Sequence, residues 1–202
     1  MRLRFSLLAA LALVAAPAYA QGMDHGDGEH ADETHMMTPP MRGNDGPRAS
    51  PNAGVMATIG TTAVHLHYGR PSVKGRTIFA STEGALVPYG QVWRTGANEA
   101  TTVAFSGDVM IDGSTLPAGV YSLFTIPGEA EWTVIFNRVA QQWGSGRYDA
   151  EQDALRAMAT PVTAATPAEQ FEITFESITD DSAVMVLAWD DVRVPVTIRA
   201  AG

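Results

Sequence analysis

Residues 171–177 read Phe-Glu-Ile-Thr-Phe-Glu-Ser, with Phe171, Ile173 and Phe175 alternating against Glu172, Thr174 and Glu176. A period of two is the pleat of a β-strand, so one face of this segment is apolar and buried while the other is wet. The same texture continues outward. After Ser50 the chain is a succession of short β-branched and aromatic runs separated by Gly, Pro, Asn and Asp, the pattern of a sandwich or barrel. Strands are predicted over 55–59, 62–68, 101–106, 109–111, 120–126, 132–136, 171–177, 183–189 and 192–199. Asp112-Gly113 and Asp190-Asp191 predict tight turns, which would make hairpins of 109–116 and 183–199. Residues 149–158 (DAEQDALRAM) are rich in helix formers behind an Asp cap, so a short helix or turn is predicted over 149–153, with a strand following from Leu155. The expected fold class is all-β: an antiparallel β-sandwich or jelly-roll-like single domain over residues 49–202, with at most one short helix.

The chain ahead of this domain has a different character. Arg2 and Arg4 precede an apolar run over 5–16, and Ala18-Tyr19-Ala20 supplies small residues for signal-peptide cleavage after Ala20. That run is about a dozen residues, short of the roughly 20 a membrane-spanning helix needs. Residues 21–48 hold much Gly, Pro, Asp and Glu without apolar periodicity, and are predicted to be a disordered acidic linker. His25, His30 and His35 recur in it among acids and methionines, a mixture that could loosely chelate Cu or Zn, but incidental histidines in a solvated linker are the preferred reading. The chain contains no cysteine, which removes disulfides, thiol catalysis, thiolate metal sites and an acylated lipoprotein anchor. A formal charge of -9 argues against nucleic acid as a partner. The resulting expectation is a periplasmic or secreted protein with no membrane span.

Five strings are unusually specific: YGRPSVKGRTIF from Tyr68, LVPYGQVWRTGANEAT from Leu86, LPAGVYSLFTIP from Leu116, EWTVIFN from Glu131 and QWGSGRYD from Gln142. Together they resemble the bacterial domain of unknown function family 2911, over about Ala49 to Arg199. The resemblance implies an exported β-sandwich-like domain and no particular activity, substrate or catalytic residue. It also implies a strand rather than a helix over Asp153 to Thr160.

The densest functional signal lies between Arg70 and Glu99. There Arg70, Lys74, Arg76 and Arg94 face only Glu83 and Glu99, inside an otherwise acidic domain. Guanidinium groups on Gly- and Pro-rich loops suit recognition of carboxylate or phosphate. Arg70, Lys74, Arg76, Trp93, Arg94, Asn98 and Glu99 are therefore the candidate ligand-binding residues, with Tyr89 and Thr101 as further contacts. If they act together, they converge on one pocket. A purely structural account competes: Arg94 pairs with Glu99, the loop arginines satisfy buried carbonyls, and Trp93 plugs the end of the core.

His65 and His67 project from one face of a strand, as a His-x-His metal pair requires, but no third ligand is evident and Arg70 and Lys74 lie close in sequence. Exposed histidines are the preferred reading, and no cofactor is expected. Trp132, Trp189, Tyr121, Phe124 and Phe136 fall at alternating strand positions and read as core. Trp143, flanked by Gly144 and Gly146, sits in a loop where it could extend a binding site. The signatures of P-loop, serine-hydrolase, zincin and dinucleotide sites are absent. The leading expectation is a binding module for a small anionic or glycan ligand. The alternatives are an extracytoplasmic hydrolase or metal-dependent enzyme, using Glu99 with Arg94 or His65 with His67, and a protein-interaction domain without a small ligand.

Overall fold

The structure, a computed structural model, describes Gly43 and residues 46–202. The segment expected to be a signal peptide and nearly all of the expected acidic linker lie outside the described residues. Those that are described belong to one compact unit, within residues 32–202.

Twelve strands and one 3-10 turn follow in order: β1 (Asn52–Ile59), β2 (Thr62–Gly69), β3 (Phe79–Ala80), β4 (Val87–Pro88), β5 (Thr101–Phe105), β6 (Val109–Ile111), β7 (Ser114–Leu116), β8 (Gly119–Ile126), β9 (Trp132–Asn137), the turn Ala150–Gln152, β10 (Asp153–Ala159), β11 (Val162–Glu176) and β12 (Ser182–Ala200). A six-stranded antiparallel sheet has the order β1-β2-β5-β8-β9-β10, and a four-stranded antiparallel sheet the order β11-β12-β6-β7. β3 and β4 form a short parallel pair. The all-β antiparallel expectation is met, and the architecture is consistent with a β-sandwich. No helix among the described residues is long and apolar enough to cross a membrane.

Alternation builds the core. Leu66, Val103, Leu123, Phe136 and Leu155 from the six-stranded sheet join Phe171, Ile173, Leu187, Trp189 and Val196 from the other in one buried cluster. Trp132, Trp189 and Phe136 are fully buried in this cluster and Tyr121 nearly so, as their strand positions predict, whereas Phe124, also fully buried, lies in a separate small cluster with Ala100 and Ile135.

Of two local expectations, the short helix or turn over 149–153 is met and the Asp190-Asp191 turn is not. Residues 149–153 close in a single 3-10 turn, with the Asp149 side chain accepting from the Glu151 amide, and β10 begins at Asp153. The Asp190-Asp191 turn is not formed. β12 runs unbroken from Ser182 to Ala200 and pairs with β11 on either side of Asp190. Asp190 takes a positive φ of 53°, and the buried positions change phase there: Ala183, Met185, Leu187 and Trp189 before it, Val194, Val196 and Ile198 after it. The ladder to β11 is irregular opposite Asp190, its register shifting between Thr163 and Ala168 and again between Ala168 and Glu172, and such a bulged stretch turns the following side chains to the other face. Asp112-Gly113 does form its turn, with φ of 49° and 74° at the two residues, and it joins β6 to β7.

Candidate functional site

The connection from β2 to β3 carries three of the candidate basic residues, and β11 holds it down. The Val73 amide donates to the Glu169 carbonyl at 2.7 Å, and the Phe171 amide donates to the Pro71 carbonyl at 2.9 Å. Arg70 Nε donates to the Phe171 carbonyl at 3.0 Å, and its Nη2 lies 3.5 Å from the Glu172 carboxylate. Lys74 and Gly75 both take positive φ, and the Lys74 amide donates to Glu169 Oε1 at 3.0 Å. Arg76 folds its guanidinium back on its own loop: Nε donates to the Val73 carbonyl at 3.1 Å and Nη2 to the Ser72 carbonyl. Arginines satisfying loop carbonyls are what a turn without regular pairing needs.

Trp93 lies in the core. It is 6% exposed, stacks on Trp189 at 5.6 Å with an interplanar angle of 18°, and meets Phe171 and Phe79 edge-on. Its Nε1 donates to the Gly96 carbonyl at 3.1 Å. Arg94, Asn98 and Glu99 follow on another side of the fold. Trp93 bridges to Thr125, and Thr95 Oγ1 lies 3.2 Å from Thr125 Oγ1, so both face inward. Arg94 stands between them with its Nε buried and without a hydrogen-bond partner, and Val92, two residues before it, packs with Ala100, Phe124 and Ile135. Glu99 does not pair with Arg94; Arg48 Nη1 donates to both of its carboxylate oxygens, at 2.9 and 2.8 Å. Asn98 Nδ2 donates to the Ser50 carbonyl at 3.3 Å. The seven candidates are thus divided among a docked loop, the core and the segment that follows Trp93.

A cleft of about 520 Å³ opens between the β2–β4 connection and the β11/β12 pair. Of the seven candidates only Arg76 lines it, with Tyr89, Glu129, Asp190 and Asp191 around a floor that includes Ile78 and Phe79. Burial pushes the Asp190 carboxyl above its ordinary range, with Asp191 and Glu169 adding to the shift. Burial likewise raises the Tyr89 phenol, helped by Glu129 and Asp191. The acids of this cleft were hidden in the sequence because Asp190-Asp191 reads there as a turn. The phase change along β12 is the signal that could have shown a bulge.

His65 and His67 share one face of β2, and β1 offers Gly54 opposite His67; a side chain at Gly54 would come within 3.1 Å of the imidazole. No group of three or more His, Asp or Glu able to hold a metal occurs among the described residues. Trp143 is 66% exposed on a segment that lies along Asn98 to Ala100: it bridges to Glu99, and the Ala100 amide donates to the Gln142 carbonyl at 3.0 Å.

No curated protein and no solved structure matches the chain. The family pattern described as a protein of unknown function matches residues 50–198, from just ahead of β1 to two residues short of the end of β12. On that match, which spans nearly the whole domain just described, the chain belongs to the DUF2911 family.

Proposed function

We propose that this domain is a periplasmic or secreted binding module whose ligand is a glycan or similar polyhydroxylated small molecule, held in the cleft of Arg76, Tyr89, Glu129, Asp190 and Asp191. The export reading rests on the basic and apolar leader ending at Ala20. The binding reading rests on one observation: a cleft of about 520 Å³ that presents three carboxylates and a phenol over apolar side chains. That volume suits a small ligand. Carboxylates are acceptors only, which suits paired sugar hydroxyls, and an aromatic ring offers a face to the sugar's C–H groups. None of the described salt bridges involves Glu129, Asp190 or Asp191. An anion fits this cleft poorly, because three carboxylates repel it and the Arg76 guanidinium is engaged with the Ser72 and Val73 carbonyls.

The test is thermal unfolding against neutral, phosphorylated and carboxylated sugars at constant ionic strength. A neutral glycan at a hundred times its dissociation constant should raise Tm by about 5 °C. The shift should be lost in Tyr89→Ala and Asp191→Asn. A panel in which charged sugars stabilise and neutral ones do not would sink the reading.

A hydrolase is the second reading, and the raised Asp190 carboxyl beside Glu129 and Asp191 is what favours it. Cleavage of a glycan that stops in Asp190→Asn, with binding retained, would move the assignment from binding module to enzyme.

A further inference from the structure

Five buried side-chain atoms among the described residues lack a hydrogen-bond partner, and three of them are Arg94 Nε, Thr102 Oγ1 and Gln142 Oε1. Thr102 and Gln142 belong to the outer face of the six-stranded sheet, and Arg94 stands between inward-facing Trp93 and Thr95. Thr102 pairs with Ser122 in the opposite phase to core residue Val103, and Gln142 Nε2 donates to Ser122 Oγ at 3.3 Å. Thr102 and Gln142 are neutral, and an ordered water satisfies such groups. Arg94 carries a charge, and a guanidinium whose Nε is closed off without a partner incurs a desolvation cost that a neutral group does not.

No described carboxylate offsets that cost. Glu99, the acid nearest in sequence, is taken by Arg48, and none of the described salt bridges includes Arg94. Burial alone holds the Arg94 guanidinium below the ordinary arginine range. The residue is half-buried, so an approach from solvent remains although Nε is closed off.

We propose that Arg94 anchors an oxyanion site, for a carboxylate or phosphate group, on the segment that follows Trp93 and separate from the acidic cleft. The planar fork of the guanidinium matches such a group with two parallel hydrogen bonds. Val92, two residues before it, packs with Ala100, Phe124 and Ile135, and apolar surroundings lower the local dielectric and strengthen the pairing. An arginine kept for a ligand leaves a signature that a structural arginine does not: the empty protein is less stable for having it.

The experiment melts the full chain and Arg94→Met at constant ionic strength, with and without inorganic phosphate or acetate. Without anion, Arg94→Met should melt about 3 °C or more above the wild type. Phosphate should stabilise the wild type and leave Arg94→Met unmoved, which separates the site from the general stabilisation that phosphate gives any protein. In the wild type alone, the Arg94 Nε–H resonance should move saturably as phosphate is added, a readout that does not depend on any variant folding. Arg94→Lys should weaken phosphate by about tenfold or more, since it keeps the charge without the fork. Amides in place of Asp24, Asp27, Glu29, Asp32 and Glu33 identify the source of the oxyanion. Unchanged phosphate affinity indicates a free ligand, and tighter affinity indicates competition from the chain's own carboxylates. The proposal is overturned if Arg94→Met melts below the wild type and the Arg94 resonance does not move. Neutral-glycan binding in the cleft should be the same in Arg94→Met, so the two sites can fail separately.

Discussion

The Asp153 side chain is 8% exposed and accepts three hydrogen bonds: from Asn137 Nδ2 at 2.8 Å, the Tyr148 hydroxyl at 2.6 Å and Arg156 Nε at 2.7 Å. Arg156 Nη2 donates in turn to the Tyr148 hydroxyl at 2.7 Å. Through this carboxylate the loop after β9 is fastened to the start of β10. Asp153→Ala removes an acceptor from fully buried Asn137 and leaves the Tyr148–Arg156 pair without its anion. The expected cost is about 2–3 kcal/mol, measurable by denaturant unfolding. Tyr148 gives the same cluster a pH signature. Burial first, then the hydrogen bond to Asp153, pushes its phenol up to about 12 from the ordinary 10.0. A raised pKa in the folded state means that the folded protein holds the proton more tightly. This contribution to stability is therefore complete below pH 10 and is lost as pH rises towards 12. Tyr68, Tyr89 and Tyr121 are raised as well, so the comparison that isolates Tyr148 is Tm against pH for the wild type and Tyr148→Phe. The variant should lose stability less steeply between pH 10 and 12. Parallel curves would mean that the phenol's environment does not depend on folding.

At the scale of elements, β12 shows which parts of this fold are legible from residues alone. Alternation is a local property, so strands such as 109–111 and 120–126 can be read almost to the residue. A bulge and a turn, by contrast, share one local signature: two acids between alternating runs. Which forms depends on whether both flanks keep a neighbour, and here β11 pairs with Arg193 and Val192 above Asp190 and with Ala188 and Leu187 below it. The same limit governs the candidate site. The basic cluster over 70–94 is visible in sequence, but Arg70 meets a carbonyl 101 positions away, at Phe171, and nothing local announces that. Asp190 also supplies a test. Its backbone is in the left-handed region, which Asn tolerates as well as Asp. Its carboxyl is raised by burial and by Asp191 and Glu169. An acid whose folded pKa is raised destabilises the fold at neutral pH, and this penalty vanishes once pH falls below the ordinary carboxylate value. Asp190→Asn should therefore raise Tm at pH 7 and change it little at pH 3.5. The two measurements also bear on the cleft, since a substitution that stabilises the fold while weakening a glycan marks a residue retained for binding.

For the molecule as a whole, the question is what joins two sheets in a chain without a single cysteine. Among the contacts between layers, the largest side chains are aromatic. Trp93 is carried by the connection that bridges onto β8, Trp189 comes from β12, and the two rings stack at 5.6 Å. Phe79 closes edge-on against both, and also against Trp132 of β9 at 4.9 Å. Because residues from both sheets share this one cluster, neither sheet can keep its apolar face buried if the other leaves. Unfolding should then be a single cooperative transition. Trp93→Ala opens a cavity at the centre of the cluster and should cost about 3–5 kcal/mol, or roughly 10 °C in Tm for a domain of this size. The cost should fall on the whole domain. Near-ultraviolet circular dichroism follows the tryptophan cluster and far-ultraviolet circular dichroism follows the strands. The two should give one midpoint in the wild type and one lower midpoint in Trp93→Ala. If the aromatic signal melts first and the strands persist, the sheets are held by their own ladders and edges rather than by the cluster between them.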